Sequence, residues 1–101
     1  MNTRLWQLAI GHNVNGHPAL TASRISRTLS RFWDGYTTYD GLGRYNGYSE
    51  KTTIVQLALT PKQSRELPAQ IRSLCRDLRQ NEIMVTRPSG TVEFIGGKAD
   101  V

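Results

Sequence analysis

Two periods of hydrophobic and polar residues alternate along the chain. Arg4–Val14 places Trp6, Leu8 and Ile10 against Leu5, Gln7 and Ala9, a period of two that predicts a first strand. Gly11-His-Asn-Val-Asn-Gly-His-Pro18 reads as a turn-rich exit. Thr21 fits the N-cap of a helix to about Trp33, because Ile25, Leu29, Phe32 and Trp33 fall on one helical face, and Asp34-Gly35 ends it. Tyr36–Asp40 alternates Tyr and Thr, good strand residues. Asp40–Ser49 holds three glycines and reads as a mobile or tightly turned connection. Glu50–Leu59 is the strongest strand, with Thr53, Val55, Leu57 and Leu59 on one face.

Thr60-Pro61-Lys62-Gln63 carries a capping box with proline at the first helical position. Leu67, Ile71, Leu74, Cys75 and Leu78 then line one side of a second helix, which Pro68 is expected to kink or split. Ile83–Thr86 and Thr91–Ile95 read as short strands around the turn Arg87-Pro-Ser-Gly90, and Gly96–Val101 as a loose tail. The order is β-α-β-β-α-β, with the last strand folded as a hairpin. Two right-handed crossovers of this kind interleave into an antiparallel sheet with both helices on one face. The expected fold class is therefore α+β, a ferredoxin-like sandwich, in a single domain over residues 1–101. The other sheet face carries Leu5, Gln7, Ala9, Ile54, Gln56 and Ala58, half apolar and uncharged, so a homodimer through that face is expected.

Length adds that the chain holds one domain, able to fold without staples, and one cysteine makes no internal disulfide. No stretch approaches the ~18 apolar residues of a membrane span, and the first residues lack a signal-peptide core. A cytoplasmic location and no membrane partner are expected.

Charge changes the picture more. The formal charge is +5, and the excess lies in the two helical segments. Thr21–Trp33 holds Arg24, Arg27 and Arg31 and no acid. Pro61–Gln80 holds Lys62, Arg65, Arg72, Arg76 and Arg79 against Glu66 and Asp77. Each set of arginines falls within roughly 60° of helical arc, so the rows are expected to merge into one basic surface. Such a surface suits phosphates or an acidic protein, although amphipathic helices need polar outer faces in any case.

A second candidate surface is aromatic. Tyr36, Tyr39, Tyr45 and Tyr48 crowd together with Trp33 and Arg44, residue types that dominate interface hot spots. The same residues also suit a strand and hairpin packed on its neighbours, and Trp33 completes the first helix's apolar stripe. The Gly-x-Gly of this segment is flanked by strands and lacks Gly-Lys-Ser/Thr, so it is no phosphate cradle. The third strand has no aromatic where an RNA-recognition motif needs one.

Catalytic chemistry is sparse. His12 and His17 lie in the loop after the first strand and read as loop residues bonding backbone; His12 also has the reach of a general base above the sheet's end, with no partner by spacing. Cys75 and Asp40 do not complete a metal set with them, so neither metal nor cofactor is expected. Cys75 falls on a core stripe, where a thiol is inert, and no serine sits in a nucleophile elbow.

Leu8-x-x-Gly11, Asp34-Gly-Tyr-Thr37, Asp40-Gly-x-Gly-Arg-Tyr45 and Glu50-x-Thr-Thr-Ile-Val55 together resemble small uncharacterised bacterial and phage ferredoxin-like domains, over residues 5–60. The resemblance implies the fold and no activity. In size and style the chain is also similar to phage-encoded, anti-CRISPR-like inhibitors of bacterial defence.

Three functions are expected in order. The first is a non-catalytic inhibitor from a phage or mobile element. It docks on an acidic protein surface or nucleic-acid-containing complex through Arg24, Arg27, Arg31, Arg65, Arg72, Arg76, Arg79, Tyr36, Tyr39, Arg44, Tyr45 and Tyr48. The second is a direct nucleic-acid binder using arginine rows on phosphates. The third is a small-ligand or nucleotide binder, or an enzyme, using His12 and the glycine-rich region.

Overall fold

The structure, a computed structural model, describes residues 2–97, with the side chain of Tyr45 outside the description. The elements run β1 (Arg4–Gly11), α1 (Ala22–Leu29), β2 (Thr37–Tyr45), β3 (Tyr48–Leu59), α2 (Pro61–Leu78), β4 (Glu82–Thr86) and β5 (Val92–Gly96). They form one antiparallel sheet in the order β2-β3-β1-β4-β5. The ferredoxin-like order is present, and the predicted C-terminal hairpin adds a fifth strand at one edge.

Alternation along the strands decides what is buried. Trp6, Leu8 and Ile10 of β1, Val55, Leu57 and Leu59 of β3, and Ile83 and Val85 of β4 face the helices and form the core. Ile25 and Leu29 from α1 and Leu67, Ile71, Leu74, Cys75 and Leu78 from α2 close it from above. Burying each such large aliphatic side chain is worth about 1.5–3 kcal/mol, so the stripes rather than intrinsic propensity hold two helices on the sheet.

The caps follow the sequence. The Thr21 hydroxyl accepts from the Arg24 amide at 3.1 Å. Thr60 and Gln63 complete a reciprocal capping box. Pro68 neither splits nor ends α2, which continues to Leu78; the cost is confined to the Ser64 carbonyl that a proline cannot serve. The first helix stops earlier than its apolar stripe predicts, at Leu29, and Phe32 and Trp33 reach the core from the following turns.

Asp40–Ser49, expected as a mobile or tightly turned connection or as part of a strand and hairpin, takes the hairpin form. β2 and β3 run through it and meet in the two-residue turn Asn46-Gly47, with φ of 49° and 82°. Positive φ at both central residues is the type I′ geometry, whose twist matches the flanking strands. The expected tail lies outside the described residues beyond Gly97, whereas Gly96 belongs to β5. No helix among the described residues is long and apolar enough to cross a membrane.

Candidate functional site

Pairing β2 and β3 to the tip of their hairpin has a consequence for chemistry. Asp40 stands opposite Thr53 and Gly43 opposite Glu50 in the ladder. β3 also pairs with β1, where Gly11 stands opposite Thr52. The chain leaving β1 continues this edge for one more residue, because the His12 amide donates to the Lys51 carbonyl at 2.9 Å. It then returns over the sheet end to the N-terminus of α1, with the Leu20 amide donating to the His12 carbonyl at 2.7 Å. Between these parts lies a cavity of about 710 Å³ lined by His12, Asn13, Asp40, Glu50, Lys51 and the start of α1 at Thr21 and Ala22, among others. That volume lies within the range of small-molecule clefts, about 300–1,000 Å³.

Two polar groups of the cavity are fixed. His12 is 7% exposed, and its Nε2 lies 2.7 Å from the Thr53 hydroxyl. Burial with a hydrogen-bond partner holds the ring in one orientation. Glu50 is held differently. Its Oε2 accepts from the Asn13 amide at 3.0 Å, and its carboxylate lies over Gly11, where a Cβ would come within 2.7 Å of Cδ and both oxygens. Any side chain at position 11 would displace that carboxylate, so the glycine is what permits the approach. Asp40, Glu50 and Lys51 all line the cavity, so two carboxylate residues and one cation border it. Among the described residues no three His, Cys, Asp or Glu side chains converge as metal ligands do.

Sequence reasoning marked His12 and the glycine-rich segment but gave His12 no partner. The structure supplies Thr53, forty-one residues away. It also brings Asp40 to the same cavity, and adds Glu50, which sequence reasoning used only as the start of a strand. The available signal was the Asn-Gly turn, which fixes the β2–β3 register and with it the position of Glu50.

The predicted docking residues are distributed over several surfaces. Arg24, Arg27 and Arg79 line a second cavity beside α1, together with His17 and Asp77. Arg31 pairs with Asp77 at 3.7 Å. Arg76 donates to the Gly97 carbonyl on the opposite flank of α2, and Arg72 is half-buried on that helix. Arg65 is exposed in the N-terminal half of α2. The two helical rows therefore do not merge into the single outward surface that their angles suggested.

The tyrosines separate as well. Tyr36 is half-buried against α1, donating to the Ser26 carbonyl at 2.9 Å with its oxygen also within bonding reach of the Ser26 and Ser30 hydroxyls. Tyr39 donates to Gln7 Oε1 across the open sheet face. Arg44 and Tyr48 are exposed near the hairpin tip, where Tyr45 and Tyr48 pair across the turn.

No protein-family model matches the chain, and no curated protein does. Solved structures do. The chain is similar to a phage SAM lyase in complex with S-methyl-5'-thioadenosine, with a TM-score of 0.66 and 15% identity over 98% of this chain and 93% of that one. It is equally similar to a phage SAM lyase in its apo state, over 94% of that chain. This likeness establishes the fold and corrects the first functional expectation. The chain's full length is shared with an enzyme that handles a small nucleoside-derived molecule, so the reading as a non-catalytic, non-enzymatic inhibitor is overturned. The physical reason is that no catalytic set is spelled by sequence spacing: His12, Asp40 and Glu50 come to one cavity only through the β1–β3 and β2–β3 pairings.

Proposed function

We propose that the protein is a lyase acting on S-adenosylmethionine, cleaving the bond between sulfur and the methionine side chain to release S-methyl-5'-thioadenosine. The observation that carries this reading is the cavity at the β1–β3 sheet end, which gathers Asp40 and a glycine-seated Glu50 beside the fixed His12–Thr53 pair. The shared fold with a phage SAM lyase supports it.

The substrate's chemistry fits so spare a site. A sulfonium is a cation whose departing group is a neutral thioether, so the leaving group needs no proton and no metal. The electron pair of the breaking carbon–sulfur bond goes to sulfur. The four-carbon fragment then balances its charge either by closing through its own carboxylate or by losing a proton from the carbon next to the reacting one. Neither route consumes water or a protein nucleophile. The protein's work is to bind, orient and surround charge, the electrostatic contribution that is often the largest in catalysis. Asp40 and Glu50 supply negative charge toward the sulfonium, and His12, held by Thr53, presents a fixed polar wall. The substrate is an intracellular metabolite, so this reading carries a cytoplasmic location with it.

The test is direct. Purified protein is incubated with S-adenosylmethionine, and S-methyl-5'-thioadenosine is followed chromatographically with the four-carbon product identified alongside. Turnover that falls by roughly 10²-fold or more in Glu50→Gln, in the range seen when a charge-stabilising group is lost, supports the reading. No product from the wild-type protein, or undiminished turnover in both Glu50→Gln and Asp40→Asn, would remove it.

A further inference from the structure

The second cavity, beside α1, has a charge balance that its own residues do not settle. It measures about 420 Å³ and is lined by Arg24, Arg27, Arg79, His17, Thr21 and Asp77, among others. The three guanidinium groups come from two helices. Arg24 and Arg27 lie one turn apart on α1, and Arg79 is the C-cap of α2. The one carboxylate among the lining residues is Asp77, and its oxygen already faces a fourth arginine, Arg31, at 3.7 Å.

The cations are not otherwise neutralised. Arg24 reaches only the Asp77 backbone carbonyl, at 3.5 Å. Arg79 Nη1 lies 2.8 Å from His17 Nε2, a contact in which the guanidinium can only donate. Among the described residues the Arg27 side chain has no hydrogen-bond or ion-pair partner. The three arginines are exposed, so water screens their mutual repulsion, and an anion entering the concavity would face all three cations.

A separate observation concerns the backbone. Arg79 has φ of 55°, the left-handed conformation in which a helix C-cap ordinarily carries glycine. An arginine at such a position bears a steric cost that glycine avoids. What it gains is placement, since that conformation turns its guanidinium to His17 and the cavity rather than along α2.

We infer that this cavity is an oxyanion site for a single phosphoryl group, as free phosphate or as a phosphate monoester. Planar guanidinium forks match phosphate oxygens in pairs, and three converging from two helices suit one tetrahedral dianion. A nucleic-acid track needs cations spaced along a ridge, whereas Arg76, the next arginine toward the N-terminus of α2, turns away to the Gly97 carbonyl. The inference is independent of the proposed lyase activity: the two cavities share only the segment Ala19–Thr21, and no carboxylate lines both.

The experiment titrates the full chain with inorganic phosphate, adenosine 5'-monophosphate, adenosine and a short single-stranded oligonucleotide at constant ionic strength. Binding is read by calorimetry and by amide shifts at Thr21–Arg27 and Arg79. Saturable phosphate binding is expected, retained by the monophosphate and absent with adenosine. It should weaken roughly tenfold or more in Arg27→Gln/Arg79→Gln, as loss of charge-assisted bonds implies, and stay unchanged in Arg65→Gln. Phosphate should raise the unfolding temperature of the wild-type chain and not that of the double variant. If the double variant does not fold, Arg27→Gln serves alone, since that side chain has no internal partner to lose. Three results would overturn the inference: no saturable phosphate binding, equal weakening in Arg65→Gln, or oligonucleotide binding that far exceeds the monophosphate and falls equally in Arg65→Gln and Arg72→Gln.

Discussion

At the scale of single residues, the absence of a side chain at position 11 matters as much as the carboxylate it admits. Gly11→Ala would place a Cβ 2.7 Å from the end of Glu50, a flexible group, so the side chain rather than the backbone would move. The expected outcome is a fall in turnover of S-adenosylmethionine with a change in unfolding temperature of no more than a few degrees, checked by assay and thermal melt on the same sample. Cys75 gives a prediction of opposite kind. Burial, with Glu82 adding to it and Arg76 opposing, pushes its thiol up from 9.0 to about 11. The folded state therefore holds its proton more tightly than the unfolded chain does. That contribution is fully present below pH 9 and is lost as pH rises through about 11. Cys75→Ala should flatten the alkaline fall in stability over that window, as followed by urea unfolding at several pH values, and wild-type Cys75 should resist alkylation at neutral pH. The core position of Cys75 was legible from its place on the α2 stripe. The seat of Glu50 was not, because Gly11 and Glu50 are far apart in sequence and meet only through the β1–β3 register.

At the scale of elements, caps and turns carry most of what local sequence dictates. Thr60→Ala removes the side-chain half of the α2 capping box and should cost about 1 kcal/mol, measured as a lower urea midpoint with unchanged slope. Gly47 is more consequential for the site. Its φ of 82° belongs to the hairpin turn, and Gly47→Ala forces a β-carbon into that conformation. The expected result is lowered stability together with weakened ligand binding, because the turn sets the register that brings Asp40 and Glu50 to the cavity. Amide exchange should show the loosening confined to β2 and the first half of β3. Counting three glycines left a mobile connection, a tight turn and a hairpin all open, because a glycine count does not show that Gly41 and Gly43 lie inside a strand and that of the three only Gly47 turns. The Asn-Gly pair was the local signal. Arginine angles on a helical wheel failed for a different reason. They fix direction about each helix axis but say nothing of what lies beside it, and α2 sends Arg76 to Gly97, just past β5, and Arg79 to His17 in the loop before α1.

At the scale of the whole molecule, ligand binding and folding are linked. A ligand that binds only the folded state at 100-fold its Kd stabilises that state by about 2.7 kcal/mol. For a domain of this size, S-methyl-5'-thioadenosine at such excess should raise the unfolding temperature by roughly 10 °C or more, with exchange protection at β2, β3 and the start of α1. Phosphate should act additively with it, since the two cavities are lined by different charged groups; scanning calorimetry with each ligand and both together checks this. The sequence by itself determined the alternation of two crossovers, the caps, the helical stripes and hence the antiparallel sheet with helices on one face, because these follow from period and local backbone preference. Tertiary structure alone decided which charged and polar groups meet. His12 finds Thr53, Glu50 settles over Gly11, and three arginines line one cavity with Asp77. Such meetings depend on strand register and on the angle between packed helices, and both are set by how the assembled core fits together rather than by any one segment.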